Sequence, residues 1–221
     1  MCFERVLIAY PFSSLPPGKA RRGLQASDFA LWGAMCWPFA SYDKTRIGTL
    51  VGLWLFAWDD EVDNMHGAVW GDWTAAQEYR EKTIAYIRYT IGLDSHCPEV
   101  TNRIILSFKV IGDAIKDEYD TRQRLMFFKE IQYFIDMSEQ EQKSRLSGRI
   151  PSLKEFWHSR LGSSAVTVCL AMNEFAWDGM KLPEGFGEDA DVRSIWHHTN
   201  TIISASNDLY SFKKEIVSTR K

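Results

Sequence analysis

The sequence of 221 residues predicts an all-α fold. Every long apolar segment repeats with a period near 3.6, and no stretch shows the period of 2 that a half-buried strand would have. Ser, Gly and Pro stand where the periodic segments begin and end. Roughly seven or eight helices follow from this pattern, and the length suits one domain.

Residues 11–23 hold Pro11, Pro16, Pro17, Gly18 and Gly23 beside Lys19, Arg21 and Arg22, so 1–26 reads as an N-terminal arm and 27–221 as the helical domain. Phe29, Leu31, Trp32, Met35 and Cys36 place a first helix over Ser27–Trp37, ended by Pro38. Ser41 then caps a long helix through Ile47, Leu50, Leu53, Trp54 and Trp58. Tyr79, Ile84, Ile87 and Ile91 among charges make Trp73–Tyr89 amphipathic, closed by Gly92. Pro98 suits the first turn of the next helix, whose stripe is Val100, Ile104, Ile105, Phe108, Ile111 and Ile115. Thr121 opens another, with Leu125, Phe128, Ile131, Gln132 and Ile135 inward and Glu139–Arg145 mostly solvated. Ser152 and Glu155 have capping-box spacing. The helix they open is interrupted at Gly162-Ser163-Ser164, a composition that kinks helices and frees carbonyls. Residues 179–187 read as a loop, and the last helix runs from about Glu188.

A formal charge of −3 leaves no basic stripe for nucleic acid. Cys2, Cys36, Cys97 and Cys169 have neither zinc nor disulfide spacing, which fits a reducing cytoplasm. Val6–Ala9 is too short for a signal-peptide core, and no window of about 18 apolar residues could span a bilayer, so a soluble protein is expected. His66, His158, His197 and His198 show no ligand pattern.

The chemistry concentrates at Trp58-Asp59-Asp60-Glu61-Val62-Asp63-Asn64. Asp59 and Asp63 lie one turn apart at the end of an apolar helix, two carboxylates side by side where a cation is wanted. Hard oxygen ligands at this spacing suit Mg²⁺, which keeps several waters and shares its shell with substrate phosphates. On the last helix Asn207, Ser211 and Glu215 fall on successive turns of one face and could chelate a second ion. Asn200 and Ile203 sit above them as pocket lining, and Lys214 could place a positive charge beside a bridging anion.

The aspartate-rich motif at Asp59, Asp60 and Asp63, Arg160 before the Gly-Ser-Ser break, and the run Asn207, Asp208, Ser211, Glu215 together resemble the class I terpene synthases, especially single-domain sesquiterpene cyclases of fungi and bacteria. The resemblance covers about Ser27 to Glu215 and implies a helical bundle around an aromatic-lined pocket. It implies three Mg²⁺ and the diphosphate of a linear isoprenoid, with farnesyl diphosphate favoured, cleaved at its C–O bond and cyclised. Asp59 and Asp63 would hold two ions and Asn207, Ser211 and Glu215 the third. Arg160 and Lys214 would bind diphosphate, Ser163 and Ser164 would occupy the linker and effector positions of the broken helix, and Phe56 would face the carbocation.

The same resemblance implies further helices after Glu215 that complete the pocket, so this chain is expected to lack the last helices and to show weak or absent cyclase activity alone. Two alternatives remain open at this point. One is a non-catalytic helical remnant that still binds diphosphate. The other is a prenyl-chain-elongating synthase, which should carry a second aspartate-rich motif in place of Asn207, Ser211 and Glu215.

Overall fold

The computed structural model describes residues 27–219, with side chains from Ser27 to Phe212. The arm 1–26 and the side chains of Lys214 and Glu215 lie outside the described residues. Among the described residues there is no strand, and the helices are α1 (Phe29–Cys36), α2 (Tyr42–Asp63), α3 (Trp73–Thr90), α4 (Arg103–Ser107), α5 (Lys109–Glu118), α6 (Thr121–Leu146), α7 (Leu153–Ser163), α8 (Val166–Ala171), α9 (Asn173–Ala176) and α10 (Ala190–Thr219). No described helix is long and apolar enough to cross a membrane.

There are more segments than the periodicity suggests because two apolar stripes are interrupted. The stripe from Val100 to Ile115 turns tightly at Phe108, whose N–H donates to the Ile105 carbonyl at 3.1 Å. Ile105, Phe108, Ile111 and Ile115 all remain buried across that turn. Pro98 does not open this segment. Asn102 does, its Oδ1 accepting from the N–H groups of Ile104 and Ile105 at 2.8 and 3.1 Å.

Helix α2 is the central element and packs on α1, α4, α5, α6, α8 and α9. Ser41 caps it as expected, and Leu50, Val51, Leu53, Trp54, Trp58 and Val62 are buried along it. Such a helix is apolar nearly all round until its last turns, so its C-terminal carboxylates emerge at the edge of a packed core. The Trp58 ring is fully buried, stacked on Tyr79 at 5.4 Å and edge-on to Phe134 at 5.1 Å. Its indole N–H reaches Thr83 Oγ1 at 2.9 Å, so the polar end of the Trp58 ring is satisfied.

Beyond α2 the chain folds back on the helix end. The Val69 N–H donates to the Glu61 carbonyl at 3.1 Å and the Ala68 N–H to Glu61 Oε2 at 3.2 Å. Only glycine fits at 67, because a Cβ there would lie 2.3 Å from the Asp60 carbonyl oxygen and 2.4 Å from that of Glu61.

On α6 the capping box is formed by Asp120 and Gln123. Leu125 and Gln132 point outward, contrary to the sequence reading, and Phe127 and Phe134 take inward places beside Phe128, Ile131 and Ile135. Nor is 139–145 mostly solvated: Gln142 is buried and Arg145 half-buried. The apolar stripe simply continues into polar residues that face other polar groups.

Trp58→Ala is expected to destabilise the fold by about 3–5 kcal/mol. Gly67→Ala is expected to lose about 1–3 kcal/mol through the clash with backbone. Gly71→Ala is the control, since a Cβ there meets nothing within 4 Å. Urea unfolding that gave the two glycine variants equal midpoints would contradict this account of the loop.

Candidate active site

Four elements converge at the end of α2. The first is α2 itself, which brings Phe56, Asp59 and Asp63. The second is a single face of α6 on which Phe134, Ser138, Glu141 and Arg145 recur at helical spacing. The third is the junction of α7 and α8, and the fourth is the middle of α10.

The junction is a true break. Helix α7 ends at Ser163, and Ala165 takes the left-handed conformation at φ 56° and ψ 11° before α8 begins. A non-glycine residue there is strained by roughly 1–2 kcal/mol. Asn200 of α10 offsets that strain by re-satisfying the broken end. Its Nδ2 donates to the Leu161 carbonyl at 2.6 Å, and its Oδ1 accepts from Ser164 Oγ at 2.9 Å and Ser204 Oγ at 3.0 Å. Gly162 serves packing instead: a Cβ there would lie 2.2 Å from Met137 Cγ.

Arg160, one turn before the break, crosses to α10. Its Nε donates to Asp208 Oδ1 at 2.9 Å, and its Nη2 to the same oxygen at 2.6 Å and to Asn207 Oδ1 at 3.0 Å. On the opposite side Arg145 forms an ion pair with Asp63. Ser163 Oγ donates to Glu141 Oε1 at 2.6 Å.

Between these groups lies a cavity of about 320 Å³ lined by Phe56, Leu55, Phe134, Trp32, Val166, Cys169 and Ile203, with Asp59, Arg160, Ser163, Ser164 and Asn207 also on its wall. That size falls at the low end of small-molecule sites. The Phe56 ring is mostly exposed and meets Phe29 edge-on at 5.5 Å.

The electrostatics are one-sided. Burial pushes the Asp59 carboxyl up to about 8, and the nearby charges of Asp63, Glu141 and Asp60 push the same way, with Arg160 the opposing influence. Glu141 is likewise raised by burial, although its Ser163 hydrogen bond and Arg160 pull it down. A half-buried carboxylate crowded by like charges calls for an external cation. That demand is the observation by which a divalent metal fits here. Among the described residues, however, no three His, Cys, Asp or Glu side chains close into a metal cage.

The structure therefore brings Phe56, Asp59, Arg160, Ser163, Ser164, Ile203 and Asn207 to one cavity. It does not put Asn200 on the wall: Asn200 is buried behind it, bracing the break. Asp63 is turned to Arg145, and Ser211 Oγ donates to the Asp208 carbonyl in its own helix at 3.4 Å. Sequence reasoning missed Glu141 and Arg145. Their i, i+4 spacing in register with Phe134 and Ser138 was the available signal.

The fold is that of the helical terpene synthases. SVS_A2, an ancestral-sequence reconstruction, matches with a TM-score of 0.82 at 18% identity, covering 95% of this chain and 63% of that one. Linalool/nerolidol synthase from Streptomyces clavuligerus matches with a TM-score of 0.79 at 17% identity, covering 97% and 69%. Residues 51–220 match the family model described as terpene synthase family 2, C-terminal metal binding, and the chain belongs to that family. Sesquiterpene cyclase hepA of Aspergillus oryzae is 36% identical over 209 residues, 91% of this chain and 56% of that protein. The chain thus spans little more than half the length of that relative.

The raised Asp59 pKa fixes the sign of a pH effect. Between the ordinary value of 3.8 and the folded value of about 8, the folded protein holds a proton that the unfolded chain releases. Stability from this group is full below that window and is lost as pH rises through it. Metal-free melting temperature is expected to fall across the window, and the fall should shrink in Asp59→Asn. Equal pH slopes for the two proteins, measured by calorimetry, would sink the assignment.

Proposed function

We propose that this chain forms the ionising site of a Mg²⁺-dependent terpene cyclase acting on a linear isoprenyl diphosphate. The observation that supports it is one cavity with Asp59, Arg160 and Asn207 on its wall beside the apolar Phe56, Leu55 and Phe134. That is the division the reaction needs, because breaking an allylic C–O bond separates an anion from a carbocation.

Asp59 and Asp63 on one side and Asn207, Ser211 and Glu215 on the other are the proposed metal-holding groups. Bound Mg²⁺ neutralises the charge that develops on the departing diphosphate. Arg160 and Lys214 bind diphosphate oxygens, Arg160 from a position already fixed by α10. The face of Phe56 would offer the carbocation a negative quadrupole and no nucleophile. Ser163 and Ser164 sit at the break on the cavity wall, where the end of α7 meets the ligand.

A fifteen-carbon substrate is favoured because hepA is a sesquiterpene cyclase. Chain elongation is disfavoured because α10 presents Asn207 and Ser211 where a second aspartate-rich motif would stand.

Melting curves with Mg²⁺ and inorganic pyrophosphate test the binding half of this reading. Stabilisation that requires both is expected, about 2.7 kcal/mol at a hundredfold excess over the dissociation constant, and Arg160→Met is expected to remove most of it. Gas chromatography after incubation with geranyl, farnesyl and geranylgeranyl diphosphates tests the chemistry, at most a small yield of cyclic hydrocarbon from the farnesyl substrate being expected from this chain alone. Stabilisation without any product would favour the non-catalytic remnant, and no stabilisation at all would overturn the proposal.

A further inference from the structure

Arg145 stands 82 residues from Asp63 in sequence and grips the end of α2 at several points. Besides the Asp63 ion pair, its Nη2 donates to the Val62 carbonyl at 2.7 Å and to that of Trp70 at 3.4 Å. Its guanidinium lies over the Trp70 ring, 5.4 Å from the centroid, and its buried Nε has no partner. A guanidinium suits this place because its planar fork can serve a carboxylate and carbonyls together, and because a cation is favoured at a helix C-terminus.

The carboxylate it holds is one that the proposed function assigns to a metal. Arg145 engages Oδ1 of Asp63, and a second cation on the same carboxylate would share its single negative charge, so the two compete for it. The side chains are about half and a quarter exposed, at 57% for Asp63 and 27% for Arg145. Pairs of that kind are weak enough to exchange.

We propose that Arg145 latches the acidic motif in the metal-free protein by occupying Asp63, and that a divalent cation displaces it to recruit that carboxylate. Arg145 is in this sense a positioning residue. After displacement its bonds to the Val62 and Trp70 carbonyls remain to keep it at the rim.

The loop itself does not depend on the latch. Gln142, one turn earlier on α6, donates to the Val69 and Trp70 carbonyls at 3.1 and 3.2 Å and accepts from Arg80 Nη2 at 2.7 Å. Arg80 is buried and like-charged with Arg145, and its pKa is lowered mainly by burial, with Arg145 contributing. Neutralising Arg145 therefore relieves a repulsion while Gln142 still pins the loop. The Asp63 grip and the loop anchor are separable.

This inference rests on the metal-binding reading, and the test distinguishes their failures. Mg²⁺ is titrated calorimetrically in the presence of inorganic pyrophosphate into the wild-type chain, Arg145→Gln, Arg145→Met, Asp63→Asn and the double variants. Arg145→Gln and Arg145→Met are expected to bind Mg²⁺ roughly twofold to fivefold more tightly, with no gain in the Asp63→Asn background. Arg145→Lys keeps the charge without the fork, should fall between, and decides the matter if the neutral variants do not fold. A merely structural role would instead weaken Mg²⁺ binding. Unchanged or weakened affinity, or an equal gain without Asp63, overturns the latch alone; a wild-type chain that binds no Mg²⁺ overturns the metal reading with it.

Discussion

The crowding of the half-buried Asp59 by other carboxylates is the constraint on which the site depends. Trp58 beside it is wholly enclosed, so the same packing that stabilises α2 draws Asp59 partly out of water. Moving an ionised carboxylate into such a place without a partner is costly by several kcal/mol. Asp63, Glu141 and Asp60 add to the difficulty rather than relieve it. A proton or a cation relieves that crowding.

Helix α6 sets the geometry around that point. It packs most extensively on α7, and Gly162 allows the approach because Met137 occupies the space of its missing side chain. With α7 pressed so closely, Ser163 reaches Glu141, and the break falls opposite the acidic end of α2. Asn200 then determines that the break is stable: without its bonds to Leu161 and Ser164, polar groups at the interruption would lose their partners. A weak-looking stretch of sequence is in this way held rigidly from two sides.

Much of this was visible in the residues. Ser41 and Ser152 announced helix starts, the acidic run marked the end of α2, and the Gly-Ser-Ser sequence marked the break. Asn207 was placed in the site by the spacing of its helix face, and Arg160 through motif resemblance. What escaped was what depends on partners distant in sequence. Glu141 and Arg145 sit in a charge-rich run that locally resembles a solvated face, and only the approach of α2 and α7 makes them half-buried. Asn200 was read as pocket lining because its face was right, but the close contact of α10 with the end of α7 buries it. The interruption at Phe108 was hidden because a tight turn preserved the burial of the stripe on both sides.

The two arginines at the rim share a logic that a lysine would not support. Each uses its fork on two acceptors at once: Arg160 on Asp208 and Asn207, Arg145 on Asp63 and the carbonyls of α2 and its loop. Negative charge at the two edges is therefore already answered within the protein, while at the centre the cationic influence on Asp59 among the described residues is the more distant one of Arg160. The unmet demand for positive charge is thus greatest at Asp59, beside the apolar wall of the cavity. Edge groups paired in advance and a central group left wanting make the affinity of the site depend on what arrives, because only a ligand that brings its own cations satisfies all of it.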